Sequence, residues 1–461
     1  MASPFLEAHE AQDNFFWLSA GLAPISIRDQ IVRGVSVIQH ALAENRIQAD
    51  DLALIVGAGA AGVSAALQAQ KENISCVLVD RQRGPFLVQA RAGTRWIDPT
   101  QYDWPLEHWR RRVYPWQPPG IPLPWVANWA PLIAAAWHRQ FRSAMSHRIQ
   151  LRFSTAVSSI IPTTGPSTSN FAVKLTNGEV FNPKIVVWTT GFGREDCQDP
   201  KRKFAGIPFW ATDPFTTTNL GTGKSNPDVF ISGAGDGGLQ DYLRICTGLR
   251  SAEEIYRRAI QGTPLERSVM TFLRDAEDLA HRAWLWSGNK ELDHNIHAML
   301  QTRHKQAANA LLGHGAYARL NRLIATRSCQ PILAYRCDHF TNFYALNRLL
   351  VLLIARFLFE KFGMRTLLPR VSLQAVTSAS ASHTCNPTNP WGCLHYKHDV
   401  TITHDPECWV TSRAATSHRI TTDLVLIRHG ADTSGIGPPG MRSPAVDLER
   451  KRHSIPYHLV S

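Results

Sequence analysis

The chain has no CxxC pair. Its eight cysteines are scattered over 461 residues, which points away from a disulfide framework and toward a reducing cytoplasm. It also has no long apolar run. "LLVLLIA" (349–355) stops at Arg356, far short of the roughly 20 residues that cross a bilayer, so a buried core helix and no membrane partner are expected. The first twenty residues carry acids and no basic n-region, so no secretory leader is expected. Acids are outnumbered, 37 against 49 Lys and Arg, for a net charge of +12. The excess is diffuse outside "RRR" (110–112) and "RKR" (450–452), which argues against a nucleic-acid partner. No repeat at a solenoid period is present. Apolar residues at 44% fit a globular chain of two to three domains.

What is present begins at residue 52. "LALIVGAGAAGVSAALQAQKENISCVLVD" contains each part of a βαβ nucleotide unit. The apolar run Leu52 to Val56 is the first strand. Gly57 permits the tight turn, Gly59 lets the backbone approach a pyrophosphate, and Gly62 lets the helix pack closely on the strand. The helix N-terminus, with Ala58, Ala60 and Ala61 around it, offers N–H groups and a positive dipole end. "SCVLVD" is the second strand and ends in Asp80, placed to accept hydrogen bonds from an adenosine ribose. Arg81 and Arg83 come directly after, so the form of the ribose stays open.

"IVGAGAAGVSAALQAQ…VLVD" resembles the N-terminal FAD-binding unit of the two-dinucleotide-fold flavoproteins, the group of the glutathione and thioredoxin reductases and the flavin monooxygenases. "KIVVWTTGFG" (184–193) resembles their apolar strand ending in Ala-Thr-Gly, here with Thr189 in the first place before Thr190 and Gly191. The helix "APLIAAAWHRQFRSAMS" and the adjoining "IQLRFSTAVSSI" resemble the helix and strand before their β-meander. The resemblance covers residues 50 to 245. It implies FAD as cofactor, held at residues 57–62, Asp80, Arg81, Thr190 and Gly191, with the backbone at Val157 against the adenine.

A second Gly-rich stretch, "VFISGAGDGGLQDYLR" (229–244), carries Gly233, Gly235 and Gly238. The chain beyond it reads as helix, Gly, helix, with no strand ending in an acid by residue 260. A complete second βαβ unit is therefore disfavoured. The resemblance implies another role, a closing strand of the form "VFAxGD", in which Gly235 and Asp236 would complete the FAD site. A separate NAD(P) site and a plain turn are the alternatives. NAD(P)H stays open as a second ligand, since no nicotinamide fingerprint lies between Gly62 and Thr189.

The expected fold is α/β, a Rossmann-like FAD-binding domain with a β-meander and a mainly helical C-terminal region. The expected domains are a helical lead-in (1–50), an FAD/NAD(P)-binding domain (51–246) with a Pro/Trp-rich insertion (84–125), a helical region (247–370), and an irregular region (371–461) with a closing strand near 423–429. Within the insertion, Arg95, Tyr102, Asp103 and His108 are polar candidates, and no spacing singles out an acid–base pair. "HTCNPTNPWGCLHYKHDVTITHDPEC" gathers His383, Cys385, Cys393, His395, His398, His404 and Cys408 in spacings that match no zinc module, so no metal is expected. In "LVLIRHG" (424–430), Arg428 and His429 resemble the start of a histidine phosphatase, but too little chain remains for that domain. The expected function is FAD-dependent oxidation or reduction of a small molecule, monooxygenase-like in kind. The alternative is a dinucleotide-binding regulator whose helical half is the output. No catalytic residue stands out, because flavin carries the hard step itself.

Overall fold

The computed structural model describes residues 3–18, 26–105, 113–114, 122–163, 169–222, 224–286, 290–324, 329–340, 344–378, 397–404, 416–432 and 437–439. Its principal strands in the first half of the chain are β1 (Glu10–Gln12), β2 (Phe15–Trp17), β3 (Leu52–Val56), β4 (Ser75–Asp80), β5 (Ile149–Phe153), β6 (Val157–Pro162), β7 (Phe171–Leu175), β8 (Val180–Phe181) and β9 (Ile185–Trp188). The second half adds β10 (Asp228–Ser232), β11 (Gln330–Tyr335), β12 (Leu367–Pro369), β13 (Val371–Ser378), β14 (His398–His404), β15 (Thr416–Thr422) and β16 (Leu424–Ile427). The main helices are α1 (Ile27–Ala43), α2 (Ala60–Lys71), α3 (Ala130–Ala144), α4 (Asp236–Thr247), α5 (Ala252–Ala259), α6 (Glu266–Trp286), α7 (Lys290–Leu311), α8 (Tyr317–Ile324) and α9 (Ala345–Phe362).

The first sheet has the order β1-β2-β9-β3-β4-β5, and β2, β9, β3, β4 and β5 run parallel. A parallel sheet is covered on both faces, so its strands are apolar throughout. β3 shows this: Ala53 and Ile55 face the helices α1, α2 and α3, while Leu54 and Val56 face the antiparallel meander β6-β7-β8. α1 begins at a capping box, in which Ser26 Oγ accepts from Asp29 N and Asp29 accepts from Ser26 N.

The second sheet, β12-β11-β10-β16, is parallel throughout. It is layered in the same way. Val229 and Ile231 face α4 and α9, and Phe230 faces a second antiparallel meander, β13-β14-β15. The chain thus contains two βαβ units of one plan, and helices α5 to α8 are inserted between α4 and β11.

This corrects the expectation that no second unit accompanies "GAGDGG". The answering strand exists, but it begins only at Gln330, because the helical insertion separates it from α4. From 371 onward the described residues include the strands β13, β14, β15 and β16. β16 lies at the edge of the second sheet, paired in parallel with β10. Of the His/Cys stretch, His383, Cys385, Cys393, His395 and Cys408 lie outside the described residues. No group of three metal-ligating side chains is present among the described residues.

Candidate functional site

The site begins at the first turn. Gly57 has φ +105°, and a Cβ there would lie 2.4 Å from the carbonyl oxygen of Thr189. A Cβ on Gly62 would lie 1.8 Å from the carbonyl oxygen of Gly57. Both positions are closed to any side chain by backbone. Gly59 differs, since a Cβ there meets nothing within 4 Å. That open space lies beside the N-terminus of α2, where a pyrophosphate belongs. Asp80 is turned onto the same turn. Its Oδ2 accepts from Ala58 N at 2.6 Å and its Oδ1 from Gln82 N at 2.7 Å. Val157 opens the meander and packs with Val56 at the end of β3 and Val79 near the end of β4. Ala60 and Ala61 form the first turn of α2, Arg81 is exposed just past Asp80, and Thr190 and Gly191 come just after the end of β9. These residues gather at the C-terminal edge of one sheet, the edge where open α/β sheets bind ligands.

In sequence Thr189 is only a departure from the family's pattern. In the fold its hydroxyl donates toward the carbonyls of Val56 and Gly57, at 2.8 and 2.9 Å, and so ties β9 to the turn. An alanine there could not make that tie.

The second turn repeats the first. Gly233 has φ +108°, and its Cβ would lie 2.2 Å from the carbonyl oxygen of Arg428. The Cβ of Gly238 would lie 1.9 Å from the carbonyl oxygen of Gly233, and that of Gly235 meets nothing within 4 Å. The backbone bonds match as well. Gly57 N donates to Val79 O at 2.7 Å, and Gly233 N to Ala334 O at 2.8 Å. Thr189 N donates to Val56 O at 2.7 Å, and Arg428 N to Ser232 O at 2.8 Å. Gly235 and Asp236 therefore belong to the second unit's own turn and not to the closure of the first sheet. The place at the first sheet expected for a closing strand is held by β2, with α1 after it in the chain. α1 packs so tightly on α2 that a Cβ on Gly34 would lie 2.2 Å from Ala61 O.

The Asp236 carboxylate is engaged by the start of α9. It accepts from the Asn347 side-chain amide and from Tyr344 N, and Gln240 Nε2 donates to it. Burial pushes its pKa up from 3.8 to about 6, against those donors. A folded value above the unfolded one means that the group favours folding below pH 3.8, and that this contribution is lost as pH rises through about 6. Asp236→Asn, which never ionises, is expected to melt at a higher temperature than the parent at about pH 8. The gain should vanish below about pH 4, and melting curves across that range check it. A constant difference at all pH values would assign the effect to shape instead of charge.

The segment after the first unit joins the two turns. Arg95 donates to Asp241 Oδ1 at 2.6 Å and lies 3.1 Å from Asp213. Arg244 chelates Asp213 with two bonds of 2.8 Å, and Arg428 meets Asp241 at 2.7–2.8 Å. All five side chains are buried, and the Arg95 guanidinium lies 3.8 Å over the Phe209 ring. Tyr102 packs on Tyr344, with ring centroids 4.3 Å apart, and Arg28 of α1 pairs with Asp103 at 2.6 Å. Arg95, Tyr102 and Asp103 thus tie the units together; His108 lies outside the described residues. His429 Nε2 is 2.8 Å from Ser232 Oγ, and Arg428 is committed to the ion network. Neither is arranged as in a phosphatase.

Fold and first turn define the class, an α/β chain with two nucleotide-type βαβ units. The family described as FAD binding domain matches residues 53–95, the stretch from β3 past Asp80. Among solved structures the chain is similar to the thioredoxin reductase of Lactococcus lactis, at 9% identity over 83% of this chain and 78% of that one, TM-score 0.39. It is similar to the thioredoxin reductase of T. acidophilum at 12% identity, 83% and 78%, TM-score 0.37. It is also similar to the bacillithiol disulfide reductase of Staphylococcus aureus at 10%, 84% and 78%, TM-score 0.40. At such identities the likeness concerns the fold alone. No curated protein matches the chain. No helix among the described residues is long and apolar enough to cross a membrane.

Proposed function

We propose that the chain is an FAD-dependent oxidoreductase in which the first turn holds FAD and the second holds NAD(P)H. The observation that carries this reading is the duplicated turn, with the same closed glycines and the same open one in both units. When bound, the flavin would supply hydride acceptance from the nicotinamide and onward reduction of a small molecule. The residues would bind and orient. Gly59 and Gly235 admit the pyrophosphates, the N-termini of α2 and α4 oppose their charge, and Asp80 receives the FAD ribose. In the second unit Ala334 pairs with Ser232 as Val79 pairs with Val56. Tyr335 therefore stands where the first unit has Asp80, and Arg336 is next. With no acid there and a guanidinium beside it in the chain, NADPH is the expected form.

A monooxygenase-like or direct transfer is favoured over a dithiol relay. The chain has no CxxC, and among the described cysteines Cys76, Cys197, Cys246 and Cys329 are buried and Cys337 is half-buried. Burial pushes the Cys76 thiol up to about 12, far from a reactive thiolate. The visible spectrum of the purified protein tests the proposal. A flavin band that bleaches anaerobically with NADPH, faster than with NADH, is the expected result. A band that neither nucleotide bleaches would remove the second cofactor, and no band after adding FAD would remove the first.

A further inference from the structure

α7 packs against α6 and α9, and a helix so placed presents apolar side chains at spacings of three and four. At that spacing α7 presents His294, His297, Gln301 and His304. Gln301 is 3% exposed and His304 is fully buried. Among the described residues neither Gln301 Oε1 nor Nε2 has a hydrogen-bond partner, and the same holds for His304 Nδ1 and Trp104 Nε1. Trp104 lies beside His304, with ring centroids 6.3 Å apart. Buried polar groups are normally satisfied, because each one left without a partner costs about 1–3 kcal/mol.

Across from this stripe, Arg348 of α9 is 2% exposed. Its Nη1 lies 3.9 Å from Glu277 Oε1, the same oxygen that is 2.9 Å from His304 Nε2. One carboxylate thus serves a buried guanidinium and an imidazole. Burial pulls Arg348 down to about 10, and Glu277 offsets only part of that. The Glu277 side chain is 25% exposed, so the cluster reaches solvent along α6.

We propose that this cluster binds a small hydroxy acid. The ligand's carboxylate supplies negative charge to the guanidinium of Arg348 and accepts from Gln301 Nε2 and Trp104 Nε1. Its hydroxyl donates to Gln301 Oε1 or His304 Nδ1, the acceptors that a plain carboxylate leaves unmet. A metal cation is the poorer occupant, since it would meet the charge of Arg348. The preceding residue of α9, Asn347, donates from its amide to Asp236 at the second turn.

The test uses the full chain with its cofactors, titrated with glycolate, lactate and malate against propionate and inorganic phosphate. At least one hydroxy acid should bind tenfold or more tightly than propionate. Gln301→Leu should raise the melting temperature of the ligand-free protein and abolish the shift that the hydroxy acid produces. Gln301→Met, which keeps the length without the amide, should behave alike. If both variants melt lower than the parent, the polar stripe is structural and the proposal fails. It also fails if propionate or phosphate binds as tightly as the hydroxy acids, or if none of the three binds.

Discussion

Gly59→Val is expected to fold and melt like the parent and to purify without flavin. A Cβ at residue 59 meets nothing within 4 Å, and its φ of −77° suits any residue. The fold therefore has no reason to resist the change. The space that a valine would fill is the approach to the N-terminus of α2, so the pyrophosphate is displaced from its N–H donors. Loss of FAD affinity of at least about a thousandfold, roughly 4 kcal/mol, is expected. Fluorescence titration of the apoprotein with FAD, beside a melting curve, measures both halves. Gly62→Ala is the opposite control. Its Cβ would lie 1.8 Å from a backbone oxygen, so the helix must move and the fold itself should fail. If Gly59→Val keeps its flavin, the phosphates lie elsewhere.

Asp241→Asn is expected to destabilise the protein by about 3–5 kcal/mol, because it leaves buried guanidiniums without their counter-charge. Three arginines, Arg95, Arg244 and Arg428, share two carboxylates, Asp213 and Asp241, and all are buried. Burial alone would raise the Asp241 pKa, yet Arg95, Arg428 and Arg244 outweigh it and hold the carboxyl below its ordinary range. A depressed value means that the stabilisation is in place above the unfolded pKa near 3.8 and is lost as pH falls through the folded value of about 2. The parent network should thus survive ordinary acid conditions. Total stabilities of about 5–15 kcal/mol make such a loss large. Urea unfolding at neutral pH reads it directly. Arg428→Met placed on top of Asp241→Asn removes one unpaired cation and should recover part of the loss. A double variant no more stable than the single one would mean that the pairing with Arg428 carries no weight.

The first nucleotide turn is legible in the sequence because its parts are contiguous. Strand, glycines, helix, second strand and Asp80 succeed one another within a single stretch, and local spacing sets their geometry. Thr189 is visible but not readable as a tie, since its hydroxyl acts on a turn far away in the chain. The second turn shows the limit more sharply. "GAGDGG" has the right glycines, but the strand that makes it a nucleotide unit begins at Gln330, after four inserted helices. No local pattern announces which distant strand will pair with β10.

The same holds for charge. Nothing in the sequence links Arg95, Asp213, Asp241, Arg244 and Arg428 to one another, and only folding brings them into one buried network. The polar stripe of α7 has helical spacing that the sequence displays openly. Whether such a stripe faces water or the core depends on what packs against it, and the packing of α6 and α9 put it inside. Residue order alone specifies the first dinucleotide turn and the strand that ends at Trp188, because backbone sterics over a few residues suffice for those. Folding in three dimensions settles that there are two units, that the Asp236 carboxylate is engaged by the start of α9, and which polar side chains lose their water, because those depend on contacts between residues that the chain keeps far apart.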